Sequence, residues 1–367
     1  MLGKDFLMKT IAVLGTGNVA HGVALNLKMK GHEVRMFAPD DVIDRIGKVY
    51  KTHEIESEGE IVGKVKIDMV TTDIEKALDG ADYIIVAVPG NRHEQYARLI
   101  NGHTTSNQVV LTFNASLSSL IYKNIINDND SCPVFADTEV PPFSVRLIAP
   151  GKIRVYEWHV GGIAFMPVSA AEKYYPEMQA ELYPFNQLYS DVLECALSLI
   201  NPTVHPGPCL VNLGAIEKPN SNFYLYEHGW SPCGLKIDLL LNEERLKVGS
   251  ALGYTDLCAL EDFAGVSNRK LTWEDLYTMG HGSYALTSIC GPNDIHYRYL
   301  TEDVPIALVC WSSLGKLIGV STPIMDSVIR LIGVAHDTDW FTEGRTAEKL
   351  GLVGMTADEI VALVKEG

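Results

Sequence analysis

Gly15, Gly17 and Ala20 form a Gly-x-Gly-x-x-Ala spacing between the apolar run Thr10–Leu14 and a helix-like run that continues to Gly31. That order suits one task, the holding of a pyrophosphate. Gly15 permits a tight turn, Gly17 lets the backbone approach phosphate oxygens, and Ala20 is small enough for the helix to pack on the strand. Asn18 and Val19 open the helix, where free N–H groups and a partial positive charge meet an anion. The same pattern is also found in plain strand-to-helix turns. Its position near the chain start, between a strand and a helix, points to a dinucleotide.

The second half carries three further stretches: Asn201-Pro-Thr-Val-His205-Pro-Gly, His296-Tyr-Arg298-Tyr-Leu-Thr-Glu302-Asp303-Val-Pro305, and Gly344-Arg345-Thr-Ala-Glu348-Lys-Leu-Gly351-Leu. Prolines on both sides constrain His205 at an expected helix start. Taken alone, such a histidine is more often an ordinary residue than a catalyst. Arg298 and Asp303 could equally be a structural ion pair on a helix. Among weaker candidates, Asn91 and His93 follow Val88-Pro89-Gly90, and a solvated loop is the default for His93. Tyr254 and Asp256 read as loop and capping residues, and His281 as part of a turn or a mobile loop. Asp137, Glu139 and Arg146 follow a strand-like run. No HExxH and no cluster of Cys and His occurs, so no catalytic metal is expected.

The elements that must position these groups change character along the chain. His32–Phe37, Ala81–Val88 and Gln108–Phe113 read as buried strands alternating with helices, and more strands are expected between Pro133 and Phe165, including Ile153–His159. This implies a parallel sheet covered on both faces. Ligands of such sheets sit beyond the strand C-termini, which places Gly15–Ala20 and Val88–Asn91 on one crevice. From Asp191 onward helical spacing dominates, in Val192–Ile200, Ile237–Gly253, Leu276–Tyr284, Val304–Ile318 and Ser327–Val334. The expected fold is α/β: a Rossmann-type, doubly wound parallel sheet over residues 1–195, then an all-helical domain over 196–367.

The chain's 367 residues suit two domains. With 47% hydrophobic and 21% charged residues, the composition is that of a soluble globular protein. A formal net charge of −16 opposes nucleic acid and anionic membrane as partners. An anionic substrate therefore needs a locally basic pocket. No apolar run reaches membrane-spanning length, and Met1–Met8 lacks a signal peptide's apolar stretch. Cys132, Cys195, Cys209, Cys233, Cys258, Cys290 and Cys310 lie far apart and are odd in number. Reduced thiols in a cytoplasmic protein fit that pattern.

At the end of the second strand, where an acidic side chain often bonds the adenosine ribose, stands Ala38. Asp40 and Asp41 follow slightly late, and no arginine comes immediately after to hold a ribose phosphate. Two carboxylates repel that phosphate, which favours NAD(H) over NADP(H). Asp40 and Asp41 could also simply open the next helix.

The stretches Asn-Pro-x-x-His (201–205), Arg-Tyr-x-x-Glu-Asp-Val-Pro (298–305), Gly-Val-Ser-Thr-Pro (319–323) and Gly-Arg-Thr-x-Glu-x-Leu-Gly-Leu (344–352), in this order behind a Gly-x-Gly-x-x-Ala turn, resemble the octopine/nopaline (opine) dehydrogenase family. The resemblance covers almost the whole chain and is most specific in the helical half. It implies an enzyme of amino acid metabolism that condenses an amino acid with a 2-oxo acid and reduces the imine with a nicotinamide cofactor, in a cleft between the two domains. Carried onto this chain, it makes His205 the general acid/base, Asp303 its carboxylate partner and Arg298 the holder of a substrate carboxylate. The identities of the amino acid and of the 2-oxo acid stay open, as does the oligomeric state, a homodimer being one choice. Two rival readings keep the nucleotide fold. One is a hydroxyacid or polyol-phosphate dehydrogenase, for which Lys236, Lys247 and Lys316 are available. The other is a non-catalytic nucleotide-sensing module.

Overall fold

The computed structural model describes residues 7–126, 131–220, 222–257, 260–266 and 269–367. The chain divides into two compact units, Met1–Cys195 together with Leu363–Gly367, and Ala196–Ala362. The last turn thus belongs with the first unit, where Gly367 lies against Pro167.

Among its described residues the first unit contains eleven strands: β1 (Thr10–Leu14), β2 (Glu33–Phe37), β3 (Glu54–Gly59), β4 (Gly63–Lys66), β5 (Met69–Thr71), β6 (Tyr83–Val86), β7 (Val109–Thr112), β8 (Val134–Thr138), β9 (Phe143–Ala149), β10 (Lys152–Trp158) and β11 (Ile163–Met166). Seven form one sheet in the order β11-β8-β7-β6-β1-β2-β5. All its neighbours run parallel except β11 against β8. β6 (Tyr-Ile-Ile-Val) and β7 (Val-Val-Leu-Thr) are buried at every position, as strands covered on both faces must be. Register aligns Leu14 with both Phe37 and Val86, so β1, β2 and β6 end side by side. The helix Asn18–Met29 leaves from that edge. This is the α/β, doubly wound Rossmann-type arrangement the sequence indicates.

A second sheet, order β4-β3-β10-β9, was not legible in the sequence. The expected strand Ile153–His159 belongs to it, as β10. These strands mix exposed charged residues with buried apolar ones, as β3 shows, because one face meets water.

The second unit is helical among its described residues, apart from one isolated bridge, Tyr224 with Gly291. Its longest helix runs Pro232–Ala251 and starts five residues before the apolar periodicity does. Ser231 and Pro232 set that start, since proline is tolerated at the first helical position. The helix buries Asp238, Asn242, Glu244 and Arg245 beside Leu235, Leu241 and Val248, which blurs its amphipathic pattern. Glu244 accepts hydrogen bonds from the backbone N–H groups of Ile324 and Met325, both at 2.9 Å. These are among the unpaired donors that open the helix Pro323–Ala335. The expected helix Val304–Ile318 is instead a π-helical turn, Asp303–Leu308, followed by the α-helix Val309–Leu317.

Among the described residues, six cysteines are free thiols. Cys258 and residues 1–6 of the opening segment lie outside the described residues. No helix of the described residues is long and apolar enough to cross a membrane. No group of three or more His, Cys, Asp or Glu among them could hold a metal ion.

Candidate active site

In the first unit, the ends of β1 and β6 build a cradle. Gly15 has φ +136°, a conformation L side chains rarely adopt, and a Cβ there would stand 2.5 Å from the Ala87 carbonyl oxygen and 3.1 Å from Val88. Gly17 is the opposite case. A Cβ built on it meets nothing within 4 Å among the described residues, so open space lies at the start of the helix. Ala20 is fully buried against the sheet. The Asn18 side chain is turned to another use, its Oδ1 accepting from the Leu147 N–H at 2.8 Å, which ties the helix start to β9. What Asn18 and Val19 offer an anion is therefore backbone. His21 is fully buried, and its Nδ1 donates to the Gly17 carbonyl at 2.9 Å. Burial lowers its pKa, so the ring is held neutral beneath the turn.

Asp40 and Asp41 are exposed and open a 3-10 helix, Asp40–Ile46, beyond β2. Val88 and Pro89 follow β6, with Val88 beside Gly15. His93, expected as a solvated loop residue, is instead buried at the first position of the helix His93–Ile100. It packs beside Tyr122, with ring centres 6.3 Å apart. Beyond β7, Asn114, Ser116 and Leu117 all have positive φ (52°, 46° and 65°), a run of unfavourable backbone for residues with side chains. The sequence shows no signal for it.

In the second unit, His205 is 3% exposed. It ends the turn Asn201–Val204, ahead of the helix Pro206–Val211. Its Nδ1 lies 2.6 Å from Asp303 Oδ2. A carboxylate only accepts, so Nδ1 carries a proton and Nε2 of the neutral ring is the basic atom. Nε2 is 2.9 Å from the Tyr226 hydroxyl. Tyr299 stacks on the imidazole, with centres 3.8 Å apart and planes 23° apart. The ring is thus fixed at both nitrogens and on one face.

Glu302 and Asp303, adjacent in sequence, take different partners. Asp303 meets His205, while Glu302 Oε2 meets Arg298 Nε at 3.0 Å. Glu302, and after it Asp303, raise the Arg298 pKa further, so the guanidinium stays charged. Its side chain is 42% exposed and so reachable by an anion. Tyr226 and Tyr299 were not among the residues singled out in the sequence. Tyr299 stands next to Arg298 in a conspicuous stretch and could have been found there, whereas nothing around Tyr226 marks it.

Comparison with known proteins bears on both units. The family model described as NAD/NADP octopine/nopaline dehydrogenase, alpha-helical domain, matches residues 188–336. The model described as NAD-dependent glycerol-3-phosphate dehydrogenase N-terminus matches residues 10–123. The opine dehydrogenase of Arthrobacter sp. (strain 1C) is 32% identical over 364 residues, covering 97% of this chain and 99% of that one. The vitopine synthase of Allorhizobium ampelinum is 28% identical, covering 96% and 98%. A solved octopine dehydrogenase with NADH and pyruvate superposes with a TM-score of 0.75 at 20% identity, covering 96% and 98%. Yersinopine dehydrogenase with NADP+ bound gives a TM-score of 0.70 at 14% identity, covering 98% of each chain.

Proposed function

Because the chain belongs to the opine dehydrogenase family, of NAD(P)-dependent oxidoreductases, we propose that it joins the amine of an amino acid to a 2-oxo acid and reduces the resulting imine. When bound, the nicotinamide nucleotide supplies the hydride. The residues present suit it: Gly15 makes the turn, and Gly17 leaves open space before the N–H groups of Asn18 and Val19. Ala87, Val88 and Pro89 would form the neighbouring wall. Exposed Asp40 and Asp41 disfavour a ribose phosphate, which supports NAD(H) over NADP(H).

One observation carries the proposal, the Asp303–His205 pair at 2.6 Å. It leaves Nε2 as the basic atom and gives the imidazolium a carboxylate partner, as a general acid/base needs. Arg298 offers a planar fork that matches a substrate carboxylate. Partners are accordingly small molecules, an amino acid and a 2-oxo acid. The polyol-phosphate alternative draws on a likeness that ends at residue 123, before the helical unit begins.

The test is a panel of amino acids crossed with 2-oxo acids, read by NADH absorbance, with NADPH in parallel. The expected result is oxidation that needs both partners and is faster with NADH. Steady turnover with a 2-oxo acid alone rejects the reading.

A further inference from the structure

The His205 imidazole has no free nitrogen. Nδ1 is held by Asp303 and Nε2 by the Tyr226 hydroxyl, with Tyr299 over one face. A phenol has one donor and two acceptor positions. Among the described residues, the only hydrogen bond of the Tyr226 hydroxyl is the one to His205, and Oη has a further hydrogen-bonding position beyond it. Both partners of His205 also sit in π-helical turns, Tyr226 in Leu225–Gly229 and Asp303 in Asp303–Leu308. They are the only two such turns among the described residues. This geometry is rare in proteins generally and is concentrated at functional sites. Trp230, with its ring centre 5.0 Å from that of Tyr226, holds the phenol in place.

We propose that Tyr226 is a catalytic residue, the group that hands the proton of His205 to the reacting nitrogen. This rests on the imine-reducing reading above. With the ring neutral, Oη donates to Nε2. With the ring protonated, Nε2–H donates to Oη and frees the Oη hydrogen to point onward. In the reductive direction the imine carbon accepts hydride from the reduced nicotinamide nucleotide while the imine nitrogen takes the Oη proton. Oη is reprotonated by Nε2–H in the same event. One N–H bond forms on the product, one Nε2–H bond breaks, the phenol is unchanged, and neutral His205 keeps Nδ1–H on Asp303. The oxidative direction runs the same transfers backwards. Burial keeps the phenol protonated at working pH by pushing its pKa well up.

Y226F removes only the hydroxyl. Wild type and variant are compared on the best amine and 2-oxo acid pair, with NADH binding and far-UV circular dichroism as checks on folding. The expected result is a kcat loss of about 10²-fold or more with little change in KM. Replacing Tyr226 by fluorotyrosine, a more acidic phenol, should move the alkaline limb of the kcat profile to lower pH, which a packing role would not do. In the ligand-free protein, nitrogen NMR should show the His205 Nε2 resonance displaced in Y226F and Nδ1 little changed. A kcat loss below about tenfold overturns the relay, as does an unmoved Nε2 resonance. A wild type inactive on the whole panel overturns the imine-reducing reading and the relay with it, whereas an active wild type matched by Y226F overturns the relay alone.

Discussion

His205 Nδ1 lies 2.6 Å from Asp303 Oδ2, although 98 positions separate the two residues, and both side chains are buried. The contact selects Asp303 over its neighbour Glu302. A π-helical turn begins at Asp303 and a short helix ends just before Glu302, so the two carboxylates leave the backbone in different directions.

Asp303→Asn should keep the packing but remove the negative charge that pairs with the imidazolium, and its amide can present a donor as well as an acceptor to Nδ1. The expected effect is a kcat loss of about 10²–10⁴-fold with KM little changed. Steady-state kinetics check this. Turnover near that of the wild type would show that the pair is structural.

Arg298 meets Glu302 on its Nε side and is otherwise partly exposed. Arg298→Lys should raise the KM of one carboxylate substrate at least tenfold, about 1.4 kcal/mol, since an ammonium cannot pair with a carboxylate bidentately. Michaelis constants for each substrate, varied separately, identify which carboxylate the residue serves.

The two glycines of the turn should separate folding from binding. Gly15→Ala forces a side chain into a positive-φ position 2.5 Å from a carbonyl, so its thermal midpoint should fall, with a conformational cost alone of about 1–3 kcal/mol. Gly17→Ala meets open space and should melt like the wild type, yet bind NADH more weakly because the methyl group occupies the ligand's approach. Thermal melts with and without NADH measure both effects.

Asp238 is fully buried, and its Oδ1 sits 2.4 Å from where a Gly207 Cβ would be, two residues beyond His205. Burial pushes its carboxyl well above the usual range, only partly offset by the Gly207 N–H. The folded chain therefore keeps a proton that the unfolded chain releases above a pH of about 4. That stability contribution is complete below pH 4 and is lost as pH rises toward the raised value, by about 1.4 kcal/mol per pH unit. Asp238→Asn should flatten the fall in thermal midpoint between pH 4 and 8. Parallel slopes for variant and wild type would exclude a buried proton at this site.

Much was readable in the chain itself. The turn proposed to hold the phosphates rests on local needs, positive φ at Gly15 and open space before the backbone at Gly17, and such needs are written at single positions. The strands β1, β6 and β7 are almost wholly apolar because both faces are covered, and the helical half shows its periodicity. The strands of the second sheet escaped because exposed charges interrupt their short apolar pattern. His93 looked like a loop residue because burial depends on what lies across the helix, here Tyr122. The pair proposed as acid/base could be named only by resemblance, since Glu302 and Asp303 are interchangeable by spacing. Tertiary structure alone separated them, through the π-helical turn that aims Asp303 at His205. It alone brought Tyr226 to Nε2 and Tyr299 over the ring. Hydrogen bonds between distant positions leave no local trace, because each requires only a compatible side chain at either end and a fold that closes the distance.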